Sequence, residues 1–180
     1  VAFVAEFSRG KSELINAIFF ASFGQRVLPS AAGRTTMCPT ELQYNKGSAP
    51  HIRLLPIETR ASVAELRGFA EEWNSIPLDI DSPDKVAKAL QHIAEIKKVS
   101  KDQAQTMGLH IAEEETQNGM HLTEDGMVEV PKWRHAIINF PHPLLEQGLV
   151  ILDTPGLNAL GTEPELTLSM LPSAHAVLFI

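Results

Sequence analysis

The apolar positions of this chain change period several times, and the changes mark out an alternation of strands and helices. Val1-Ala2-Phe3-Val4-Ala5 is a continuous apolar stretch, the pattern of a strand buried on both faces. Over Gly10 to Phe20 the period lengthens: Leu14 and Ile15 recur four residues later as Ile18 and Phe19, which predicts a helix. Gly24 to Arg34 is turn-rich and reads as a surface loop. Glu41 to Tyr44 and His51 to Leu55 read as short strands around the turn Asn45-Lys46-Gly47-Ser48. Strands resume at Ala136 to Phe140 and Leu149 to Leu152, separated by a turn over Pro141 to Gly148. A helix over Glu163 to Leu171 is expected ahead of a last strand at Ala176 to Ile180. Both terminal runs look like interior strands, so the expectation is a domain taken from a longer protein.

Between these stretches the pattern becomes helical. Ser62 and Glu65 form a capping-box pair, followed by Leu66, Phe69 and Trp73 at helical spacing. Ser82-Pro83-Asp84 is a helix start, with proline at the first helical position and Val86, Leu90 and Ile93 behind it. Ser100 with Gln103 marks a third start. Ala61 to Leu109 is therefore expected to be mainly helical. Glu113 to Asp125 is polar and reads as a loop or hairpin through Asn118-Gly119. The expected architecture is an α/β three-layer sandwich of the P-loop type. It has a mostly parallel sheet, flanking helices and a mainly helical insert at about 60–130, ending after the fourth core strand, all within a single domain over 1–180.

Composition narrows the partners. The chain has 180 residues, 44% hydrophobic and 21% charged, with a formal charge of −7. That is an ordinary globular composition, and an acidic one. A nucleic-acid or anionic-membrane footprint on the domain itself would need basic residues, so nucleic acid is not an expected partner. Any phosphate must be held by a local site. The one cysteine, Cys38, permits no intrachain disulfide and suits a reducing, cytoplasmic compartment. No run approaches the length of a membrane span.

The local site is legible at Ala5-Glu6-Phe7-Ser8-Arg9-Gly10-Lys11-Ser12, between the first strand and the first helix. It follows the phosphate-loop pattern G-x-x-x-x-G-K-[ST] except that Ala5 replaces the first glycine. A loop turning into a helix leaves unpaired backbone N–H groups aimed at one spot, where the helix dipole also favours an anion. Gly10 lets the backbone approach the phosphates, Lys11 brings a point charge to the outer ones, and the Ser12 hydroxyl is suited to ligate Mg2+. Were the first position to demand positive φ, alanine there would be strained by about 1 kcal/mol. A second motif, Asp153-Thr154-Pro155-Gly156, ends the strand at Leu149 to Leu152. Such a carboxylate stands beside the magnesium of P-loop proteins, and the glycine N–H can meet the terminal phosphate. Alone this motif is also a plain turn; behind a phosphate loop it gains meaning.

Taken together, Glu6-Phe7-Ser8-Arg9-Gly10-Lys11-Ser12, Val27-Leu28-Pro29-Ser30, Gly33-Arg34-Thr35-Thr36-Met37-Cys38-Pro39-Thr40 and Asp153 to Gly156 resemble dynamin-like GTPases, especially bacterial dynamin-like proteins and mitofusins. The long insert before Asp153 fits that resemblance too. It implies GTP binding and hydrolysis, with Phe7, Ser8, Arg9, Gly10, Lys11, Ser12, Glu13, Asp153 and Gly156 at the nucleotide. It implies Mg2+ held by Ser12, Thr36 and Asp153, and a monovalent cation, K+ or Na+, aided by Ser8. Lys11, Ser8, Thr36 and Gly156 would carry the catalysis. Thr36 is the favoured switch threonine, with Thr35 and Thr40 as rivals. Arg9 is as well explained as a solvated loop residue. Leu157 and Asn158 stand where small GTPases place a glutamine, which dynamins also lack. No Asn/Thr-Lys-x-Asp motif is present, so the preference for guanine rests on the family. The resemblance further implies a homodimer through the nucleotide face, and a parent protein that works peripherally on membrane lipid through parts not present here. Two alternatives stand beside it, an ATP-dependent P-loop protein and a nucleotide-binding scaffold with weak hydrolysis.

Other residues are read plainly. The seven histidines show no ligand spacing, and His142 and His175 border apolar runs as structural residues. Cys38 reads as a plain loop cysteine, Trp73 as core, and Lys97, Lys98 and Lys101 as a solvated helix face.

Overall fold

A computed structural model describes residues 1–4, 10–29, 38–59, 63–107, 109, 126–155 and 171–179. In chain order these form β1 (Ala2–Val4), α1 (Lys11–Phe19), β2 (Thr40–Gln43), β3 (His51–Pro56), α2 (Val63–Leu66), β4 (Asn74–Pro77), α3 (Pro83–Gln91), β5 (Ile96–Val99), α4 (Lys101–Thr106), β6 (Val128–Pro131), β7 (Trp133–Asn139), α5 (Pro143–Glu146), β8 (Ile151–Asp153) and β9 (Val177–Phe179), with short 3-10 turns between them. Seven strands make one sheet in the order β4-β3-β7-β2-β8-β1-β9, and β5 pairs with β6 in a separate two-stranded sheet.

The α/β architecture with flanking helices is as expected, but the main sheet is mixed. β1 runs parallel to β8 and β9, and β2 parallel to β7. β2–β8, β3–β4 and β3–β7 are antiparallel. β2 and β3 do not pair with each other but flank β7, and the turn that joins them, in which Gly47 N–H donates to Asn45 Oδ1 at 3.0 Å, passes the end of β7. Asn139 at the end of β7 pins that turn, accepting from Asn45 N at 2.6 Å and donating to the Ser48 and Ala49 carbonyls, each at 3.1 Å.

Side chains alternate across the sheet with period two, so each strand feeds two layers. On one face Phe3, Leu42, Ile52, Leu54, Ala136, Ile138 and Ile151 pack against Ile15 and Phe19 of α1 and Val86 and Leu90 of α3. On the other, Leu55 and Ile137 meet Val63, Leu66 and Trp73, and Ala2, Val4 and Leu152 meet Leu171 and Ala174. The α1 stripe is narrower than its sequence suggests, since Ile18 is 38% exposed.

The insert is helical only in part. α3 forms as expected with Val86, Leu90 and Ile93 buried, and α4 carries the full capping box between Ser100 and Gln103. The run Leu66, Phe69, Trp73 is not one helix. α2 ends at Leu66 ahead of Gly68, Phe69 is extended and exposed, and Trp73 leads into β4. Tertiary packing overrides the spacing: the Trp73 indole N–H donates to the Leu66 carbonyl at 2.9 Å while its ring covers the sheet. Lys97 and Lys98 lie on β5 rather than on a helix, and Lys97 pairs with Glu58. Val99, Val128 and Val130 of this small sheet bury against Ile57, Ala104 and Leu109. The expected loop at Glu113 to Asp125 lies outside the described residues, as does the expected helix from Glu163 up to residue 170. The turn before β8 contains one helical turn, α5, where His142 Nδ1 accepts from Leu144 N at 3.3 Å and the ring meets Phe19 edge-on at 5.0 Å.

A buried polar group sits on the Trp73 face. Glu41 of β2 accepts from His135 Nε2 at 3.0 Å and from the Arg67 guanidinium. Burial alone would raise the Glu41 carboxyl, but the bonds from His135 and Arg67 outweigh it and hold it down to about 2, against an ordinary 4.5. Burial pushes His135 below its ordinary 6.5, against the pull of Glu41, so the ring is neutral and Arg67 supplies the balancing charge. Both groups bind protons more weakly folded than unfolded. Folding stability is therefore complete above the unfolded value of each group and falls as pH drops, first below 6.5 and then between 4.5 and about 2. In urea unfolding across pH 2 to 8, the wild type should show this acid loss. Glu41→Ala should cost about 3 kcal/mol at pH 7, the scale of a broken buried ion pair, and the deficit should shrink toward pH 2.

Candidate phosphate site

The site forms where the carboxyl ends of β1 and β8 lie side by side, at the crevice in which open α/β sheets hold ligands. Asp153 closes β8 in register with Phe3 on one side and Thr40 on the other. The neighbouring Thr154 fixes this corner by donating its hydroxyl to the Phe3 carbonyl at 2.9 Å. Gly10 then opens α1 with φ 84°, a left-handed conformation that L side chains adopt only with strain. An added Cβ would meet nothing within 4 Å, so the need for glycine here is one of backbone conformation. Gly10 has no side chain to cap the helix, and its carbonyl takes the N–H of Leu14 at 3.0 Å. Lys11, Ser12 and Glu13 form the first turn of α1, whose N–H groups have no carbonyl four residues back within the helix.

Ser12 Oγ donates to Asp153 Oδ2 at 3.1 Å, across a separation of 141 residues. Both are buried, at 4% and 2% exposure, and Lys11 beside them is 6% exposed. Burial lowers the Lys11 ammonium from its ordinary 10.5, and the charge of Asp153 pulls it back up. A hydroxyl, a carboxylate and an ammonium thus share one dry corner under a helix N-terminus. A serine hydroxyl has one proton and two lone pairs. With its proton on Asp153, the hydroxyl can meet a hard cation only through its lone pairs. The donor set of one hydroxyl and one carboxylate suits Mg2+, which keeps waters and shares substrate phosphates. Among the described residues no group of three or more His, Cys, Asp or Glu side chains could hold a metal ion, here or elsewhere.

Of the expected site residues, the structure brings Gly10, Lys11, Ser12 and Asp153 together. Glu13 sits on the first turn of α1, and its side chain pairs with Arg26 at 3.0 Å. Phe7, Ser8, Arg9, Thr36 and Gly156 lie outside the described residues, as do Ala5 and Thr35. Thr40, the third candidate switch threonine, is 3% exposed and donates its hydroxyl to the Cys38 carbonyl at 3.1 Å, as a strand residue does. Burial pushes the Cys38 thiol up to about 12, with the Asp153 charge adding to it against the Thr40 hydroxyl, so it is not a nucleophile.

Sequence reasoning missed Asn16. It stands four residues beyond Ser12 on the buried face of α1, and its side chain bonds to the backbone of Val27 and Leu28. The signal was a polar residue at helical spacing from the motif on an otherwise apolar stripe.

The model of the dynamin family matches residues 1–180, and the chain belongs to that family. It is similar to a bacterial dynamin-like protein of Nostoc punctiforme, 24% identical over 177 residues, covering 98% of this chain and 19% of that protein. The chain thus spans about a fifth of that relative's length. Two solved structures of an oligomerised bacterial dynamin pair, described as providing a mechanism for long-range sensing and tethering of membranes, align over 99% of the chain. They cover 20% and 19% of their own chains, with TM-scores of 0.45 and 0.41 and identities of 23% and 21%.

The left-handed Gly10 makes a direct prediction. Gly10→Ala should lose about 1 kcal/mol of stability from the positive φ alone, measured by chemical denaturation at pH 7. Gly24→Ala, also at positive φ but remote from Ser12, should lose a similar amount. Only the first should weaken inorganic polyphosphate binding.

Proposed function

We propose that this chain is the part of a GTPase that binds Mg·GTP and hydrolyses it to GDP and phosphate. The observation that carries the reading is the buried bond from Ser12 to Asp153 beside Lys11, at the N-terminus of α1. The backbone N–H groups of Lys11, Ser12 and Glu13 donate to the β- and γ-phosphate oxygens, and the Lys11 ammonium neutralises charge there. Asp153 fixes the Ser12 hydroxyl, and these two residues would hold Mg2+. Bound Mg2+ would supply electrostatic stabilisation of the phosphates. Water attacks the γ-phosphorus, the bond to the β–γ bridging oxygen breaks, and GDP leaves with the electron pair. Catalysis of this kind rests on positioning and fixed charge rather than covalent chemistry.

Family membership supports the finer assignments. Thr36 ligates the cation and orients the attacking water. Ser8 helps hold K+ or Na+, Phe7 and Arg9 line the nucleotide, and the Gly156 N–H meets the γ-phosphate. Residues 1–180 act as one domain with an insert at about 60–130. The whole protein is cytoplasmic, pairs with a second copy through the nucleotide face and works peripherally on membrane lipid. Among the described residues no helix is long and apolar enough to cross a membrane.

The test uses the full-length protein. Fluorescent GTP should bind with Mg2+, and ATP at least tenfold more weakly. Phosphate release should fall by about 10²–10³ in Lys11→Ala, the scale of removing one fixed transition-state charge. A preference for ATP would end the guanine assignment, and equal background release from both proteins would end the catalytic one.

A further inference from the structure

The layer that carries Trp73 covers His135, and one nitrogen of that ring has nothing to bond. His135 is fully buried on β7, with Nε2 3.0 Å from Glu41 Oε1. Because Glu41 is ionised, Nε2 carries the proton and donates it, which leaves Nδ1 a bare acceptor. Among the described residues Nδ1 has no hydrogen-bond partner. The neutral ring tolerates this, since an unmet neutral acceptor costs less than an unmet charged donor. A second proton changes the balance. It goes to Nδ1, makes a buried N–H with no acceptor, and adds a charge beside Arg67 and Arg134. Glu41 of β2 attracts that charge, but burial outweighs the attraction. The other charged neighbour is Arg53 of β3, whose guanidinium lies 4.7 Å from the centre of the Trp73 ring. Trp73 itself makes a T-shaped contact with His135 at 6.1 Å, so it is what water must pass to reach the imidazole.

The least costly way to hydrate that proton is to lift the cover, which is thinly attached. Val63, Leu66 and Trp73 are the layer's buried apolar residues on Leu55 and Ile137. Hydrogen bonds within the layer travel with it: Arg67 N to the Val63 carbonyl, Phe69 N to Leu66, Trp73 N to Ala70, and the indole N–H to Leu66. Its polar ties to the sheet include Arg67 on Glu41 and the Arg53 guanidinium on the Arg67 carbonyl, the latter long at 3.3 and 3.4 Å. The rim is already wet, with Phe69 53% exposed and the Arg67 side chain 41%. On the opposite face α1 and α3 are held by a far larger cluster. Local opening is drawn from such weakly attached elements.

We propose that residues 63–73 form an acid-operated flap: protonation of His135 lifts them from the sheet as a unit while α1 and the β1–β8 corner stay folded. The flap does not depend on the nucleotide reading. Once uncovered, His135 regains its ordinary 6.5, so the flap is fully held above that pH and loosens as pH falls through it. Glu41 stays ionised down to 4.5 even when uncovered, so within this cluster His135 alone titrates between pH 5 and 6.5.

Amide hydrogen exchange of the full-length protein, corrected for the intrinsic effect of pH, reads the opening. From pH 7.5 to pH 5 the Arg67, Phe69 and Trp73 amides should open between about fivefold and about thirtyfold more often, the upper figure being the limit for one proton at a group of ordinary value 6.5. The Leu14 and Leu152 amides, bonded to the Gly10 and Val1 carbonyls, should stay within about twofold. His135→Gln keeps a donor for Glu41 and cannot titrate, so its flap should open equally at both pH values. Where that variant does not fold, the ring nitrogen chemical shifts of wild-type His135 serve. They should place the proton on Nε2 at pH 7.5 and show the second proton arriving on Nδ1 with the midpoint of the opening. The inference is overturned if flap and reference amides rise together, if neither rises, if His135→Gln keeps the wild-type rise, or if Nδ1 carries the proton at pH 7.5.

Discussion

The bond from Ser12 to Asp153 is the constraint around which the rest is arranged. Two stretches separated by 141 residues must meet in a dry corner, and each brings a group that is costly to bury alone. Meeting there requires β1 and β8 to lie parallel and adjacent, so that the helix leaving one strand reaches the carboxylate ending the other. The Phe3–Asp153 register supplies this, and the Thr154 hydroxyl on the Phe3 carbonyl secures it. Lys11 follows from the same geometry, since the Asp153 charge offsets part of the cost of burying its ammonium.

β2 connects this corner to the rest of the sheet through both of its faces. Thr40 lies beside Asp153 on the α1 side, while the next residue, Glu41, points to the opposite layer and meets His135 and Arg67. That layer contains α2, Trp73 and Leu66, which belong to the insert. One strand thus carries a neighbour of the phosphate site and the anchor of the insert in adjacent positions, because successive side chains alternate across a sheet. The two polar groups differ in kind. The Ser12 corner gathers its charges around an open helix end, which suits an incoming anion, whereas Glu41 is already matched within the fold.

Much of this was legible in the one-dimensional pattern. Gly10, Lys11, Ser12 and Asp153 were marked by motifs whose spacing reflects local chemistry. α3 and α4 were marked by a proline start, a capping box and apolar residues at 3.6-residue period. These signals are short-range, and short-range physics writes them into neighbouring residues. The misread stretch at Leu66, Phe69 and Trp73 had helical spacing too, but the indole found a carbonyl and a sheet face to cover, and packing outweighed propensity. The short strands β4, β5 and β6 were missed for the same reason, since a strand's partner lies elsewhere in the chain.

By itself, then, the sequence determined the phosphate-loop motif, the α/β class and the helix starts, because those depend on residues within a turn or two of one another. The tertiary structure decided which strands are neighbours and in which direction, and so that Thr40 stands beside Asp153. It decided too that Asn16 faces Val27 and Leu28, and that Glu41 is held ionised by Arg67 beside a neutral His135. Those outcomes depend on hydrogen bonds and burial between distant segments, whose free energy exists only once the sheet has assembled.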